Sequence, residues 1–373
     1  MRKVPVSSLQ PGMKLARAIY DKMGFLLLNT GVELKREYIH SLRKLNISSV
    51  YIFDNIIPDI DIEDVILDET RHKTTEIVRD IMFDIKRQPE KPVPKLLFKR
   101  QNICNVLQDI IDQLLNNNNL IVNLSDIRTA DNYTFAHSVN VAVLALTLGI
   151  SLGLSRSQLT KVGLGSLLHD LGKVKIPSSI LNKKGKLSAD EYLEIKKHPG
   201  FGYEMVKAQD LIPGSSAMVI YQHHERMNGE GYPEGLRSEQ IHLFSRISAV
   251  ADVYDALVAD RPYRLAFPPH KAIEILESSG EQFDLKVLHN FIQHIAAYPI
   301  GTFLGLSSGE VGIVVKNTVG FPKRPRVRVL CSKEDFEPLT PYEIDLIEKR
   351  NIVIDAVFAD NQLPEEILNR STV

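Results

Sequence analysis

The stretch LLHDLGK, residues 167–173, constrains this chain more than any other. Leu159, Val162, Leu164, Leu167 and Leu168 recur at helical spacing, and Ser155 with Gln158 has the spacing of a capping box. A largely apolar helix therefore runs into His169 and Asp170. A buried helix ending this way puts polar groups where leucine would pack better. An unpartnered neutral polar group in such a place costs about 2–7 kcal/mol, so the fold must bring partners to both residues. Lys173, four residues after His169, shares its face if the helix continues that far. A lone His-Asp pair is common by chance, so the remainder of the chain decides its role.

That remainder supplies more nitrogen and oxygen donors. His137 stands in YTFAHSVNVA, an apolar helical pattern that starts near residue 131. His198 precedes Pro199 and follows a helix opened by Ser188 and Glu191. His223, His224 and Glu225 lie in HHERMNGEGYP, and Asp252 lies in ADVYDAL. Imidazole and carboxylate together suit zinc, manganese, iron, cobalt or nickel, whereas calcium prefers oxygen alone. Adjacent histidines on a helix point about 100° apart, so both reach one ion only near a helix end or around a cavity. The glycine-rich stretch at residues 228–231 ends that helix just afterwards.

Taken in order, YTxxHSxxVA, HDLGK, HP, HHExxxGxGYP and ADVYDALxxxRPYR resemble the HD-GYP phosphodiesterases, a branch of the HD metallohydrolase superfamily. The resemblance spans residues 120–295. It implies a mainly α protein built on an HD-type all-α helical bundle, which lets donors from distant helices meet in one cavity. By the same resemblance His137, His169, Asp170 and Asp252 would hold one divalent transition-metal ion. His198, His223 and His224 would hold a second, with Asp170 bridging the two. Iron or manganese ranks ahead of nickel, cobalt or zinc. The implied reaction is attack of a metal-activated hydroxide on cyclic di-GMP, giving linear pGpG and in some members GMP. Two alternatives keep the same residues: a substrate such as cyclic GMP-AMP or another phosphoester, and a weakly active dinucleotide receptor or interaction module. The complete donor set weighs against the last.

Other roles follow from the resemblance. Lys173 matches a lysine near the substrate phosphate and nucleophile, with a salt bridge to a neighbouring carboxylate as the plain alternative. Arg261 and Arg264 match a pair of basic substrate contacts; lysine is frequent at the second position, where arginine offers a bidentate grip. Tyr232 would shape a wall of the site, although a tyrosine beside a proline more often packs than reacts. Glu225 is expected to orient a ligand histidine, and Asp255 to be structural. Some members hold a third ion with a glutamate four residues before the first histidine. Here that position is Tyr133, which implies two ions.

The rest of the chain sets bounds. With 373 residues, 44% apolar and 24% charged, it has room for two or three domains. A net charge of −1 carries no footprint for DNA or an anionic membrane, so phosphate recognition must be local. Cys104 and Cys331 lack metal-type spacing and read as reduced thiols. With neither signal peptide nor membrane span in the sequence, the expected location is the cytoplasm. Residues 1–56 are expected to form a small α+β accessory domain for folding and homodimerisation, residues 57–118 a helical linker, and 119–297 the catalytic domain. Residues 298–373 read as a small β-rich appendage, whose Lys316, Lys323, Arg324, Arg326 and Arg328 make a solvated basic strand face. Signalling proteins are the expected partners besides a cyclic dinucleotide.

Overall fold

The computed structural model describes residues 1–20, 26–45, 47, 49–53, 56–60, 64–87, 94–117, 121–122, 133–183, 185–207, 212–259 and 266–368. In chain order these form β1 (Arg2–Pro5), β2 (Ile19–Tyr20), β3 (Leu26–Leu28), α1 (Arg36–Lys44) and β4 (Ser49–Ile52). Next come α2 (Asp68–Arg87), α3 (Pro94–Asn116), α4 (Tyr133–Ser151), α5 (Arg156–Leu167), α6 (Ser178–Leu181) and α7 (Ala189–Ile195). Then follow α8 (His198–Lys207), α9 (Gly214–Gln222), α10 (Leu243–Val258), α11 (Pro269–Ser278) and α12 (Leu285–Gln293). The chain closes with β5 (Phe303–Leu306), β6 (Glu310–Lys316), β7 (Arg326–Ser332), β8 (Pro338–Asp345), β9 (Ile354–Phe358) and α13 (Glu365–Leu368). No described helix is long and apolar enough to cross a membrane.

Two compact units result. The first joins residues 1–64, 121–132 and 295–373. In it β1 pairs antiparallel with β4, and Val4, Leu15, Leu42 and Val50 fill a small core. β2 pairs with β3, and a five-stranded sheet is antiparallel throughout, in the order β8-β7-β6-β5-β9. Alternating side chains place Val311 and Ile313 in one core cluster and Val314 in another, as period-two strands buried on both faces require. Strands were expected near β6, β7 and β9. Near β5 and β8 the pattern gave no signal, because Gly305 and Pro341 interrupt it. Two members of the basic strand face, Arg328 and Arg326, prove to be paired with carboxylates. Arg328 grips Asp59 with two bonds of 2.7 Å and Glu343 with one of 2.9 Å, while Arg326 bonds Asp345 at 3.0 Å. Arg2 at the start of the chain meets Asp360 near its end.

The second unit, residues 65–120 and 133–294, is all helical among its described residues. Its axis is α4, buried along nearly its whole length from His137 to Gly149. Each fully buried Leu or Val there contributes about 1.5–3 kcal/mol of transfer free energy. Around α4 pack α2, α3, α5, α10 and α12. The stretch expected as a helical linker thus contributes α2 and α3 to this helical unit, α2 through Val78, Ile81, Met82 and Ile85. Small residues set the closest approach. A Cβ on Gly165 of α5 would lie 2.6 Å from Val219 Cβ of α9. One on Gly172 would lie 1.9 Å from the carbonyl oxygen of His198.

Candidate metal centre

Helix ends deliver most of the polar groups. The capping box of Ser155 and Gln158 opens α5, which runs buried to Leu167 and stops, leaving His169 and Asp170 just past its end. Ser188 and Glu191 likewise cap α7, and His198 begins the separate helix α8. His223 caps the C-terminal end of α9, with His224 after it, as the angle between adjacent histidines demands. His137 and Asp252 come from the interiors of α4 and α10.

These side chains converge. Three donors each from His137, His169 and Asp170, and from His198, His223 and His224, form two groups whose ligand atoms lie within 4.8 Å of one another. Asp170 is buried between the groups. Its Oδ2 stands 3.4 Å from His169 Nε2 and 3.9 Å from His137 Nε2. Its Oδ1 stands 3.4 Å from His198 Nε2 and 4.0 Å from His223 Nε2. Asp252 completes the ring, with Oδ1 3.1 Å from His137 Nε2 and Oδ2 3.8 Å from His224 Nδ1.

Hydrogen bonds fix which way the rings face. His169 Nδ1 donates to the Ser166 carbonyl at 2.7 Å, His198 Nδ1 to Ile195 at 2.7 Å, and His223 Nδ1 to Ile220 at 2.9 Å. A carbonyl only accepts, so each Nδ1 carries a proton, and in its neutral form each ring turns an Nε2 lone pair inward. His198 Nε2 and His223 Nε2 then face each other at 3.2 Å with no proton to share. His169 Nε2 and Asp170 Oδ1 are buried without a hydrogen-bond donor or acceptor. Buried lone pairs aimed at one another are costly, and a divalent cation between them removes the cost. The residues therefore fit a metal site.

Most of the protonation pattern agrees. The exception is His137, where burial favours the neutral ring but Asp252 and Asp255 outweigh it and raise the imidazole to about 9, so a cation there must displace a proton. Burial, reinforced by neighbouring cationic groups, pushes His198 down to about 4 and holds His223 and His224 well below the usual imidazole range. Burial opposes ionisation of Asp170, but His169 and Lys173 outweigh it and hold the carboxyl well below its ordinary value. Asp252 is lowered in the same way against its burial, chiefly by His137. Neutral imidazoles and ionised carboxylates are the forms that bind cations.

The other expected site residues divide. Lys173 Nζ donates to Asp170 Oδ2 at 2.6 Å and is 28% exposed, so it has the salt bridge, and it has it with the central carboxylate. Tyr232 stacks on His224 with ring centroids 4.6 Å apart and forms one wall. Arg261 and Arg264 lie outside the described residues. Among the described residues Glu225 bonds no histidine. It accepts from the backbone N–H groups of Glu234 and Leu236 at 2.8 and 2.9 Å and so pins the loop after Tyr232. Asp255, expected to be structural, binds His137 Nδ1 at 2.7 Å. Sequence reading passed over Asn140, which donates to Asp255 at 3.1 Å; its spacing of one turn from His137 was the available signal.

Gly172 makes the assembly compact by letting the turn that holds Asp170 touch α8. Gly172→Ala is expected to push that turn away from His198. It should cost about 1–3 kcal/mol in a denaturant titration and lower the cation content of the purified protein. Unchanged stability and cation content would refute that account of the packing.

Residues 108–287 match the family described as HD domain, and residues 303–366 match one described as KOW domain associated with HD domain. The chain is similar to a cyclic di-GMP phosphodiesterase of Pseudomonas aeruginosa, 36% identical over 64% of this chain and 58% of that protein. It is also similar to a cyclic di-GMP phosphodiesterase response regulator of Xanthomonas campestris, 44% identical over 36% of each. A 3′3′-cGAMP-specific phosphodiesterase of Vibrio cholerae is 32% identical over 53% of this chain and 38% of its own length. The chain thus spans little more than half of the first relative and well under half of the other two.

Proposed function

We propose, from a chain whose residues 108–287 belong to the HD-domain family, a metal-dependent phosphodiesterase that cleaves cyclic di-GMP to linear pGpG. One observation carries the metal dependence: inward-facing Nε2 lone pairs, two of them 3.2 Å apart, around an ionised and buried Asp170. The nucleotide comes from the relatives, whose names specify cyclic di-GMP in both of the first two cases. We assign His137, His169, Asp170 and Asp252 to one ion and His198, His223 and His224 to the other, iron or manganese in preference to nickel, cobalt or zinc. Divalent ions bound there would lower the pKa of bound water to about 7 and neutralise phosphoryl oxygens.

The chain's own groups do the rest. Asp170 keeps its negative charge because His169 and Lys173 outweigh its burial. Lys173, partly exposed beside it, presents a fixed positive charge to the equatorial phosphoryl oxygens. Tyr232, stacked on His224, narrows the approach and excludes water. Arg261 and Arg264 grip phosphate, so Arg261→Ala or Arg264→Ala should weaken substrate binding about ten- to hundredfold with cation content unchanged. Loss of folding stability without ligand, at unchanged substrate affinity, would make them structural instead. In this reading residues 119–297 are the catalytic domain of a cytoplasmic enzyme, residues 1–56 support its folding and dimerisation, and signalling proteins are further partners.

Hydrolysis of cyclic di-GMP and of 3′3′-cGAMP by the metal-loaded protein, followed by chromatography of the products, tests the proposal. Cleavage of the first to pGpG is the expected outcome. The Vibrio cholerae relative favours the second nucleotide as the alternative substrate, and cleavage of that one alone would select it. Cation binding without hydrolysis of either would make the protein a receptor.

A further inference from the structure

The histidines of the centre differ in what anchors them. His169, His198 and His223 donate Nδ1–H to main-chain carbonyls three residues earlier in their own segments. Local backbone thus fixes their orientation. His137 lies inside α4 and relies on side chains from other helices. Its Nδ1 meets Asp255 Oδ2 of α10 at 2.7 Å. Asp255 Oδ1 accepts from Asn140 Nδ2 at 3.1 Å, and Asn140 Oδ1 accepts from Arg71 Nη1 of α2 at 2.6 Å. His137, Asn140 and Asp255 are all buried.

The direction of every link in this relay is determined. A guanidinium only donates, so the carboxamide of Asn140 must turn its oxygen to Arg71 and its NH2 to Asp255. An ionised carboxylate only accepts, so Asp255 holds a proton on His137 Nδ1 and leaves Nε2 to face Asp170 and Asp252. Without Arg71 the carboxamide oxygen is left buried without its donor, and only the bond to Asp255 still orients the amide. We propose that Arg71 is a positioning residue for the centre: acting through Asn140 and Asp255, it fixes the orientation and tautomer of His137, so that cation affinity depends on α2. Arg71 precedes the stretch that matches the HD domain. The inference rests on the proposed role of His137 as a ligand.

The test titrates Co²⁺ into the metal-free full-length protein at pH 8 and follows its visible absorption. Arg71→Met is expected to weaken binding about ten- to hundredfold, the usual cost of losing an outer-sphere partner, and Arg71→Lys, which keeps a donor, to restore most of it. A purely structural role would instead lower the thermal midpoint of Arg71→Met and leave its Co²⁺ affinity and spectrum as in the wild type. Should Arg71→Met not fold, Asn140→Asp keeps the shape and the bond to Arg71 but removes the donor to Asp255. It should show the same weakening, and wild-type affinity there would overturn the relay. His137→Ala separates the two levels of the argument. If His137→Ala weakens binding and Arg71→Met does not, the relay alone is wrong; if His137→Ala binds Co²⁺ like the wild type, the ligand assignment falls first.

Discussion

Asp170→Ala is expected to lose bound cation and phosphodiester hydrolysis together, with turnover reduced about a thousandfold or more and the helical unit still folded. The geometry makes this the most damaging single change. One carboxylate stands within 4.0 Å of an Nε2 atom on each of four histidines, two on either oxygen. Removing it takes a donor from both groups at once, whereas losing one histidine depletes only one. Folding should survive because α4 is packed with apolar side chains along nearly its whole length. Lys173, left without its partner, is exposed enough to turn to water. Elemental analysis, far-UV circular dichroism and the nucleotide assay on one preparation check all three parts. Full cation content with wild-type hydrolysis would put the centre elsewhere.

What could be read from the sequence, and what could not, divides along a physical line. His137, His169, Asp170, His198, His223, His224 and Asp252 were legible because the motifs that carry the HD-GYP resemblance contain them, five near helix ends and His137 and Asp252 inside helices. The structure brings all seven together. The partners that orient them were harder to read. Asp255 and Asn140 each lie three residues beyond a donor on the same helix, so spacing placed them on the right face but said nothing of their partners. Arg71 had no signal, since its bond spans 69 residues of sequence. Glu225 shows the converse error. Its place beside two histidines invited an orienting role, whereas its carboxylate is spent on the backbone of the following loop. In the first unit, Arg328 belonged by pattern to a solvated basic face. Its pairing with Asp59, 269 residues away, could not be seen until the chain folded.

Two cations per chain is the expected metal count. The donors fall into two groups of three, and Asp170 presents one oxygen to each. A third ion would need another anionic donor near His137, and in some HD-GYP enzymes that donor is a glutamate four residues earlier. Here the residue is Tyr133, a neutral phenol whose reference pKa of about 10 makes it a poor ligand for a divalent ion near neutral pH. Asp131 is the nearest upstream carboxylate, and on a regular helix six residues would turn it about 120° from His137. Elemental analysis should therefore return two ions per chain, and anomalous scattering should place one beside each group. His223→Ala should reduce the count to one by weakening the group that contains His198 and His224, while the group of His137 and His169 keeps its ion. A third well-occupied site beside residue 133 would overturn the count, as would a wild-type protein that never binds more than one ion. The count has a consequence for product. With no third ion to hold the linear dinucleotide for another attack, cleavage should stop largely at pGpG, and GMP should appear only slowly in the same chromatograms.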